Sequence, residues 1–487
     1  MSHGSPEHPS VLLAHSYYMR YDPKQSRKMK PYPPLSTLIA AALLRREGRH
    51  FTFFDSMLSE GVDEFRDLLH AVRPKVVGIL EDNFNFLTKM CTTRMREAAF
   101  EMIAAAKSAG ARVVVNGSDA IDQTAAYLHV GADAVILGEA EETFLDLTAR
   151  WSDDLNADLS HVPGLAIAGP AAARSSIRRT PARRSSTALD ALPFPAWDLI
   201  DVEQYRVAWT AAHGRLSWNV CTSRGCPYAC NWCAKPVFGR RYTQRSAANV
   251  AEELAQLRRA VAPDHVWFAD DIFGITPRWI EAFAAEVRVR GAALPFSMQS
   301  RVDLMTPSAV EALAEARCDE VWMGVESGAQ HVLDAMDKGT TLDEIRAGTR
   351  LLKRHGIRAC WFVQLGYPGE DWRAILQTRD LIRDEQPDDI GVSVAYPLPG
   401  TPFYERVRMD LRGKANWSDS DDLAMLFQGA YSTDFYREIR DLLHREVTAR
   451  VEGGQPPARE FDAPWDALER REVGHRTSDE TLGRRTG

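Results

Sequence analysis

The chain is short of several things at once, and each shortage removes a class of function. No apolar run approaches the roughly 20 residues that span a bilayer, so no membrane-spanning helix is expected. Cysteine is scarce and odd in number, seven in 487 residues, and the polar start at Met1–Ser10 has no signal-peptide pattern. A disulfide framework is therefore not expected, and a reducing cytoplasm is the expected location. Positive charge is short too: the formal net charge is -8, the wrong balance for a nucleic-acid partner gripped by a broad basic surface. The G-x-G-x-x-G turn of dinucleotide sites is missing.

What is present is ordinary in bulk, with 45% hydrophobic and 26% charged residues, and long enough for two or three domains. Three cysteines, however, are gathered in one loop. Cys226, Cys230 and Cys233 have C-x3-C-x2-C spacing, and three thiolates so close together suit three irons of a 4Fe–4S cluster. The fourth iron then lacks a cysteine and is open to an outside ligand. A zinc site would want a fourth protein ligand, a second C-x2-C or a histidine pair, and none is nearby in sequence. Cys91, Cys318 and Cys360 sit among apolar neighbours and read as core residues. Cys221 ends an apolar strand-like run just before the loop. It is the candidate catalytic thiol, because barrel active sites collect at the carboxyl ends of strands; a buried core thiol is the alternative.

Short apolar runs alternate with amphipathic stretches along most of the chain. Those at 11–14, 51–54, 76–80, 113–115 and 134–137 suit strands buried on both faces of a parallel sheet. Helical spacing fills 35–46, 62–71, 94–109 and 120–129 between them. The fold class is therefore α/β, opening with a doubly wound, Rossmann-like domain over 1–168, whose ligand should sit beyond the strand ends. Asp82-Asn83-Phe84, Asn116-Gly117-Ser118-Asp119 and Gly138-Glu139-Ala140-Glu141 follow those strands; a glycine there is also read simply as a turn. An Ala-, Arg- and Ser-rich stretch, 169–190, reads as a linker or exposed hairpin, and the whole linker is placed at 169–210. A second alternating series, at 216–220, 265–269, 295–298, 320–323, 359–363 and 390–394, predicts an open (β/α)6 partial TIM barrel over 211–405. A helical region, 406–451, and a disordered tail, 452–487, complete the expectation. The apolar residues Met425, Leu426, Phe427, Tyr431, Phe435 and Tyr436 are read as a barrel cap.

In its ordered motifs the chain resembles the radical S-adenosylmethionine (SAM) enzymes that carry an N-terminal cobalamin-binding domain. The resemblance runs from Val11 to about Tyr404. It rests on Thr222-Ser223-Arg224-Gly225-Cys226-Pro227-Tyr228 with Cys230 and Cys233, then Phe268-Ala269-Asp270-Asp271-Ile272-Phe273, Gly324-Val325-Glu326-Ser327-Gly328, Lys338-Gly339-Thr340-Thr341, Gly366-Tyr367-Pro368-Gly369-Glu370 and Pro397-Leu398-Pro399-Gly400-Thr401-Pro402. The resemblance implies a 4Fe–4S cluster on Cys226, Cys230 and Cys233, with SAM chelated at the open iron and reductively cleaved to a 5′-deoxyadenosyl radical. It places Asp270 and Asp271 at the SAM amino group, and Gln299, Arg301, Glu326 and Ser327 at its carboxylate and ribose. Helix capping is the alternative for Asp271 and Ser327. Cobalamin would be bordered by Asn116, Gly117, Ser118, Gly138 and Glu139. The D-x-H-x-x-G fingerprint that supplies a histidine to cobalt is absent, as it generally is in relatives of this architecture.

The implied activity is methyl transfer to an unactivated carbon of a small-molecule or lipid-like metabolite, with electrons from a reductase, flavodoxin or ferredoxin. The alternatives are radical cyclisation or rearrangement, and methylthiolation. The last is disfavoured because the N-terminal domain holds only Cys91.

Overall fold

Alternation within each N-terminal strand sorts its side chains into two cores, one per face of a sheet. The computed structural model describes residues 11–169, 176–235, 237–411, 413–453 and 460–475, so residues 170–175 of the expected linker, and 454–459 and 476–487 of the expected tail, lie outside the described residues. The first strands are β1 (Val11–Ala14), β2 (Phe51–Phe54), β3 (Val76–Leu80), β4 (Arg112–Asn116) and β5 (Ala134–Ile136). Leu12, Val77, Ile79, Val113, Val115 and Val135 pack with helices Val62–Val72, Thr93–Ser108 and Thr124–Val130. Val11, Leu13, Val76, Leu80, Val114, Ala134 and Ile136 meet helices Leu35–Arg46 and Glu141–Asp153 on the other side. Strands buried on both faces are what their unbroken β-branched runs dictate.

These five strands are parallel, in the order β2-β1-β3-β4-β5. The order reverses between β1 and β3, and such a switch point opens a crevice beyond the strands' carboxyl ends. Two antiparallel strands, β6 (Leu165–Ala168) and β7 (Ile177–Arg179), extend the edge. The Ala-, Arg- and Ser-rich stretch thus contains the second arm of a hairpin. The remainder of the expected linker is packed rather than loose: Trp197, Tyr205 and Trp209 are buried, and helix Val202–His213 runs through it.

The chain divides into two compact units: 1–226 with 235–271 and 416–422, and 227–234 with 272–415 and 423–487. The first unit therefore also holds β8 (Ser217–Val220), the short antiparallel pair β9 (Ser223–Arg224) and β10 (Thr243–Gln244), and β11 (His265–Phe268), parallel to β8. Trp218 of β8 meets Trp197 and Tyr205 edge-on or tilted, with centroids 5.6 Å away in each case. The late segment 416–422 belongs here as well. Trp417 and Ser418 carbonyls accept from Thr93 and Arg94 at the start of a helix, and Asp22 holds Ser420 through its backbone N–H (3.1 Å) and hydroxyl (2.7 Å).

The second unit contains β12 (Phe296–Ser300), β13 (Cys318–Glu326), β14 (Arg358–Leu365) and β15 (Asp389–Val394), parallel and paired in that sequence. Helices Pro307–Glu315, Leu342–Arg354 and Trp372–Glu385 connect them, each started by a side-chain cap from Thr306, Thr341 or Asp371. Each strand of the second alternating series is present, two in the first unit and four in the second. Met425, Leu426, Phe427, Tyr431, Phe435 and Tyr436 are buried, and Met425 and Tyr436 pack on Gly366.

The expectation of a tail without order from 452 is corrected over residues 462–475, which form helix Asp462–His475. Trp465 is 1% exposed and its indole donates to Glu446 at 2.9 Å, while Tyr431 donates to Glu472 at 2.5 Å. One buried tryptophan outweighs a polar average composition.

Candidate active site

The cysteine loop is shaped before its first ligand. Gly225 has φ +74°, and a Cβ there would lie 2.3 Å from the Arg241 carbonyl and 2.9 Å from that of Gly239, so only glycine fits. The Cys226 N–H then donates to Gly239 O at 3.4 Å. Upstream, Asp270 holds the strand end: the Thr222 N–H (3.0 Å), the Thr222 hydroxyl (2.9 Å) and the Ser223 hydroxyl all donate to it. Burial pushes the Asp270 carboxyl up to about 6 against those hydrogen bonds. Asp270 is 0% exposed, and these bonds make it a positioning residue for the loop. Asp271 likewise faces a protein partner, the Lys89 ammonium at 2.6 Å.

Arg224 ties this loop to the N-terminal sheet. Its guanidinium donates to Glu139 at 2.5 Å and Glu141 at 2.6 Å and lies over the rings of Phe84 and Phe238. Burial opposes its charge, but Glu141 and Glu139 overcome that and hold its pKa above the ordinary value. Glu139, expected beside a cofactor, is thus bound to an arginine from the cysteine motif. Asn116 also faces inward, donating to the carbonyls of Ile136 and Gly138 at 3.0 Å each and accepting from Asn83 at 2.8 Å. Gly117 has φ +146° and a Cβ there would press on Glu81 at 2.7 Å; its necessity is internal to the protein. Ser118 is buried at the start of a five-residue helix, and Gly138 (φ +89°) faces the Val237 carbonyl, 3.8 Å from a built Cβ. Cys221 is buried, burial pushes its thiol well above the ordinary range, and its carbonyl accepts from Arg245 at 2.7 Å. Burial of this kind suits the core-thiol reading of Cys221.

In the second unit, Arg301 is brought to Cys230, and Glu326 to Lys338. Arg301 lies 3.9 Å over the Tyr228 ring and its Nη1 is 3.8 Å from Cys230 Sγ; its Nη2 donates to the Lys338 carbonyl at 2.9 Å. Lys338 pairs with Glu326 at 2.8 Å, both buried. Burial works against the ammonium, and Glu326 and then Cys230 outweigh it, raising its pKa. Glu326 itself stands at φ +65°, a strained value for a non-glycine residue. Asn231, between the second and third cysteines, is fixed by Met336 and Ala335 carbonyls and by the Tyr367 hydroxyl at 2.7 Å. Gln299, one residue before the end of β12, is partly exposed, and its carbonyl accepts from the Phe273 N–H. Ser327 turns away from Glu326: its hydroxyl accepts from the Ala329 N–H at 3.2 Å and lies 3.4 Å from Thr378. It serves as a local cap.

The donor set fits the implied groups. None of the seven cysteines is in a disulfide, and Arg301 and Lys338 supply the positive charge that thiolate ligands call for. Among the described residues no three histidine, cysteine or acidic side chains form a ready-made metal group; the fit rests on the three thiols' chemistry and surroundings. At the switch-point crevice, Asp82 Oδ2 and Asn83 Oδ1 are buried without a partner, acceptors suited to the amide-rich rim of a corrinoid. Burial pushes Asp82 up to about 6. Asn83 and Lys338 are the residues sequence reasoning passed over; each stood inside a noted motif, but nothing local showed that one would be orphaned and the other buried.

Comparison with known proteins agrees with this site. Residues 220–382 match the Radical SAM superfamily. An uncharacterized methyltransferase of Pyrococcus horikoshii is 26% identical over 397 residues, covering 79% of this chain and 81% of the relative. Among solved structures, the radical S-adenosylmethionine methyltransferase TsrM from Kitasatospora setae, with cobalamin and a 4Fe–4S cluster bound, gives a TM-score of 0.66 at 20% identity over 82% of this chain and 74% of TsrM. The cobalamin-dependent S-adenosylmethionine radical enzyme OxsB, with aqua-cobalamin bound, gives 0.71 at 16% identity over 96% of this chain and 72% of OxsB. At these identities the two structures establish a shared fold. Among the described residues no helix is long and apolar enough to cross a membrane.

Proposed function

We propose that this chain, whose residues 220–382 match the Radical SAM superfamily, is a cobalamin-dependent radical SAM methyltransferase acting on an unactivated carbon of a small molecule. The observation that carries the reading is one chain joining a C-x3-C-x2-C loop to a doubly wound domain with orphaned acceptors, Asp82 Oδ2 and Asn83 Oδ1, at its switch point. TsrM and OxsB, which share the fold, are cobalamin enzymes.

In this reading Cys226, Cys230 and Cys233 hold the cluster, and Arg301 and Lys338 balance its negative charge. Gln299, Arg301 and Glu326 are the SAM-facing groups. Asp270 and Arg224 keep the loop in place from behind. Asn83, with the Asn116–Ser118 and Gly138–Glu139 loops, borders the corrinoid. When bound, the cluster and SAM supply a carbon-centred radical and the corrinoid supplies the methyl group. No histidine is assigned to cobalt. A flavodoxin, ferredoxin or reductase delivers the electron.

The test is turnover of the anaerobic holoenzyme with methyl-deuterated SAM and the small-molecule fraction of a deletion strain. The expected result is a product that gains a labelled methyl group, with 5′-deoxyadenosine and S-adenosylhomocysteine released together. Release of 5′-deoxyadenosine with an unlabelled, rearranged product would replace this reading with radical cyclisation or rearrangement.

A further inference from the structure

The four-stranded sheet of the second unit has two unlike faces. Trp361 donates its indole N–H to Thr349 on a helix at 3.1 Å, so the odd-numbered positions of β14 face the helices. The ladder then puts Phe362 opposite Gly324 and Gly391, and Gln364 opposite Ser393, on the other face. Trp322 of β13 is on that face as well, stacked on Phe362 with centroids 4.9 Å apart and planes 27° apart. Both rings remain partly exposed, as do Gly391 and Ser393. A Cβ at position 391 would stand 3.2 Å from Phe362 and 3.4 Å from Trp322, so glycine leaves the ring platform uncovered.

Above this platform Gln364 is 7% exposed, and its Oε1 is buried without a hydrogen-bond partner. A buried amide acceptor left unmade is costly, and a native site carries that cost where a ligand completes the bond. The charges near the face are already matched. Glu320 pairs with Arg358 and also accepts from the Trp322 indole at 2.6 Å, and Glu326 pairs with Lys338 at 2.8 Å.

We infer that this face binds the substrate through a neutral, flat ring group that lies against Trp322 and Phe362 and donates one N–H or O–H to Gln364. The inference rests on the methyltransferase reading and names the substrate class for it. Gln364 sets specificity: a site built to accept a hydrogen bond rejects the same ring lacking the donor, because the amide is then left unpaired.

Two probes that share the ring and differ only at its nitrogen test it, indole and 1-methylindole, titrated by ligand-observed NMR into the full chain reconstituted with iron and sulfide. The wild type is expected to bind indole about tenfold more tightly than 1-methylindole, the value of one buried hydrogen bond. Gln364→Leu should bind the two alike. Phe362→Ala should weaken both while keeping the preference. Equal binding by the wild type, no binding of either probe, or a preference that survives in Gln364→Leu would overturn the inference. A matching loss of SAM affinity in Gln364→Leu would overturn it too, by giving the amide to the cofactor. Corrinoid retention and methyl labelling, measured on the same preparation, report on the methyltransferase reading separately. If those fail while the indole preference holds, the ring site stands and the reaction is a different one.

Discussion

Glu139 in the first unit and Glu326 in the second both follow a parallel strand, both stand in a glycine-flanked motif, and both meet a buried cation. Their surroundings differ. Arg224 answers Glu139 and Glu141 with separate nitrogens and is roofed by Phe84 and Phe238, so every charge there is used within the protein. Glu326 meets a lysine whose backbone carbonyl is held by Arg301, beside Cys230, and is kept at a strained φ of +65°. Residues in sparse backbone regions persist where the surroundings over-determine them, and they cluster at working sites. The first pairing is thus a clamp within the protein, and the second stands on a strained backbone beside Cys230.

The comparison can be broken by removing each cation. Arg224→Ala strands two buried carboxylates and should cost about 3–5 kcal/mol of stability, read by chemical denaturation under anaerobic conditions, with iron content falling in proportion. Lys338→Met strands one, and about 2–3 kcal/mol is expected; SAM cleavage should fall far more than stability does. Proportionate losses in both variants would erase the distinction.

A buried acid without a cation sharpens it further. Glu370 is 2% exposed, its Oε1 has no partner, and burial pushes its pKa up to about 8. Because the folded state holds this proton more tightly than the unfolded state, Glu370 favours folding most below about pH 4.5, and that contribution is lost as pH rises toward 8. Wild-type stability should therefore fall across this window more steeply than that of Glu370→Gln. Parallel pH profiles would contradict it. The smallest effect is expected at Cys221, where Cys221→Ala should keep iron content and 5′-deoxyadenosine formation and lose roughly 1–2 kcal/mol. Loss of product with SAM cleavage intact would return Cys221 to the substrate.

Much of the architecture was legible because it is local. β1 to β5 were readable as short apolar runs, and the three gathered thiols as a spacing of three and two within one loop. Roles that depend on distant partners were not. Asp271 is met by Lys89, 182 positions away, and Glu139 by Arg224, 85 positions away; no window of sequence contains either pair. Strand ends mark where polar residues gather but not which of them are already satisfied: nothing local showed that Asp270 and Glu139 would meet protein partners or that Asn83 would keep an orphaned acceptor. Helix Asp462–His475 escaped because, among the described residues, its large buried apolar groups are just Trp465 and Leu468 in a charged segment.

The central claim is that one chain holds both a 4Fe–4S cluster and a corrinoid. Its most direct test is anaerobic reconstitution with iron, sulfide and hydroxocobalamin, followed by gel filtration and electron paramagnetic resonance of the reduced cobalt. The expected result is a full cluster complement and one corrinoid travelling with the protein, its cobalt signal free of nitrogen splitting from an axial histidine. Protein that keeps its iron and sheds all corrinoid would contradict the account and leave a cobalamin-free radical enzyme.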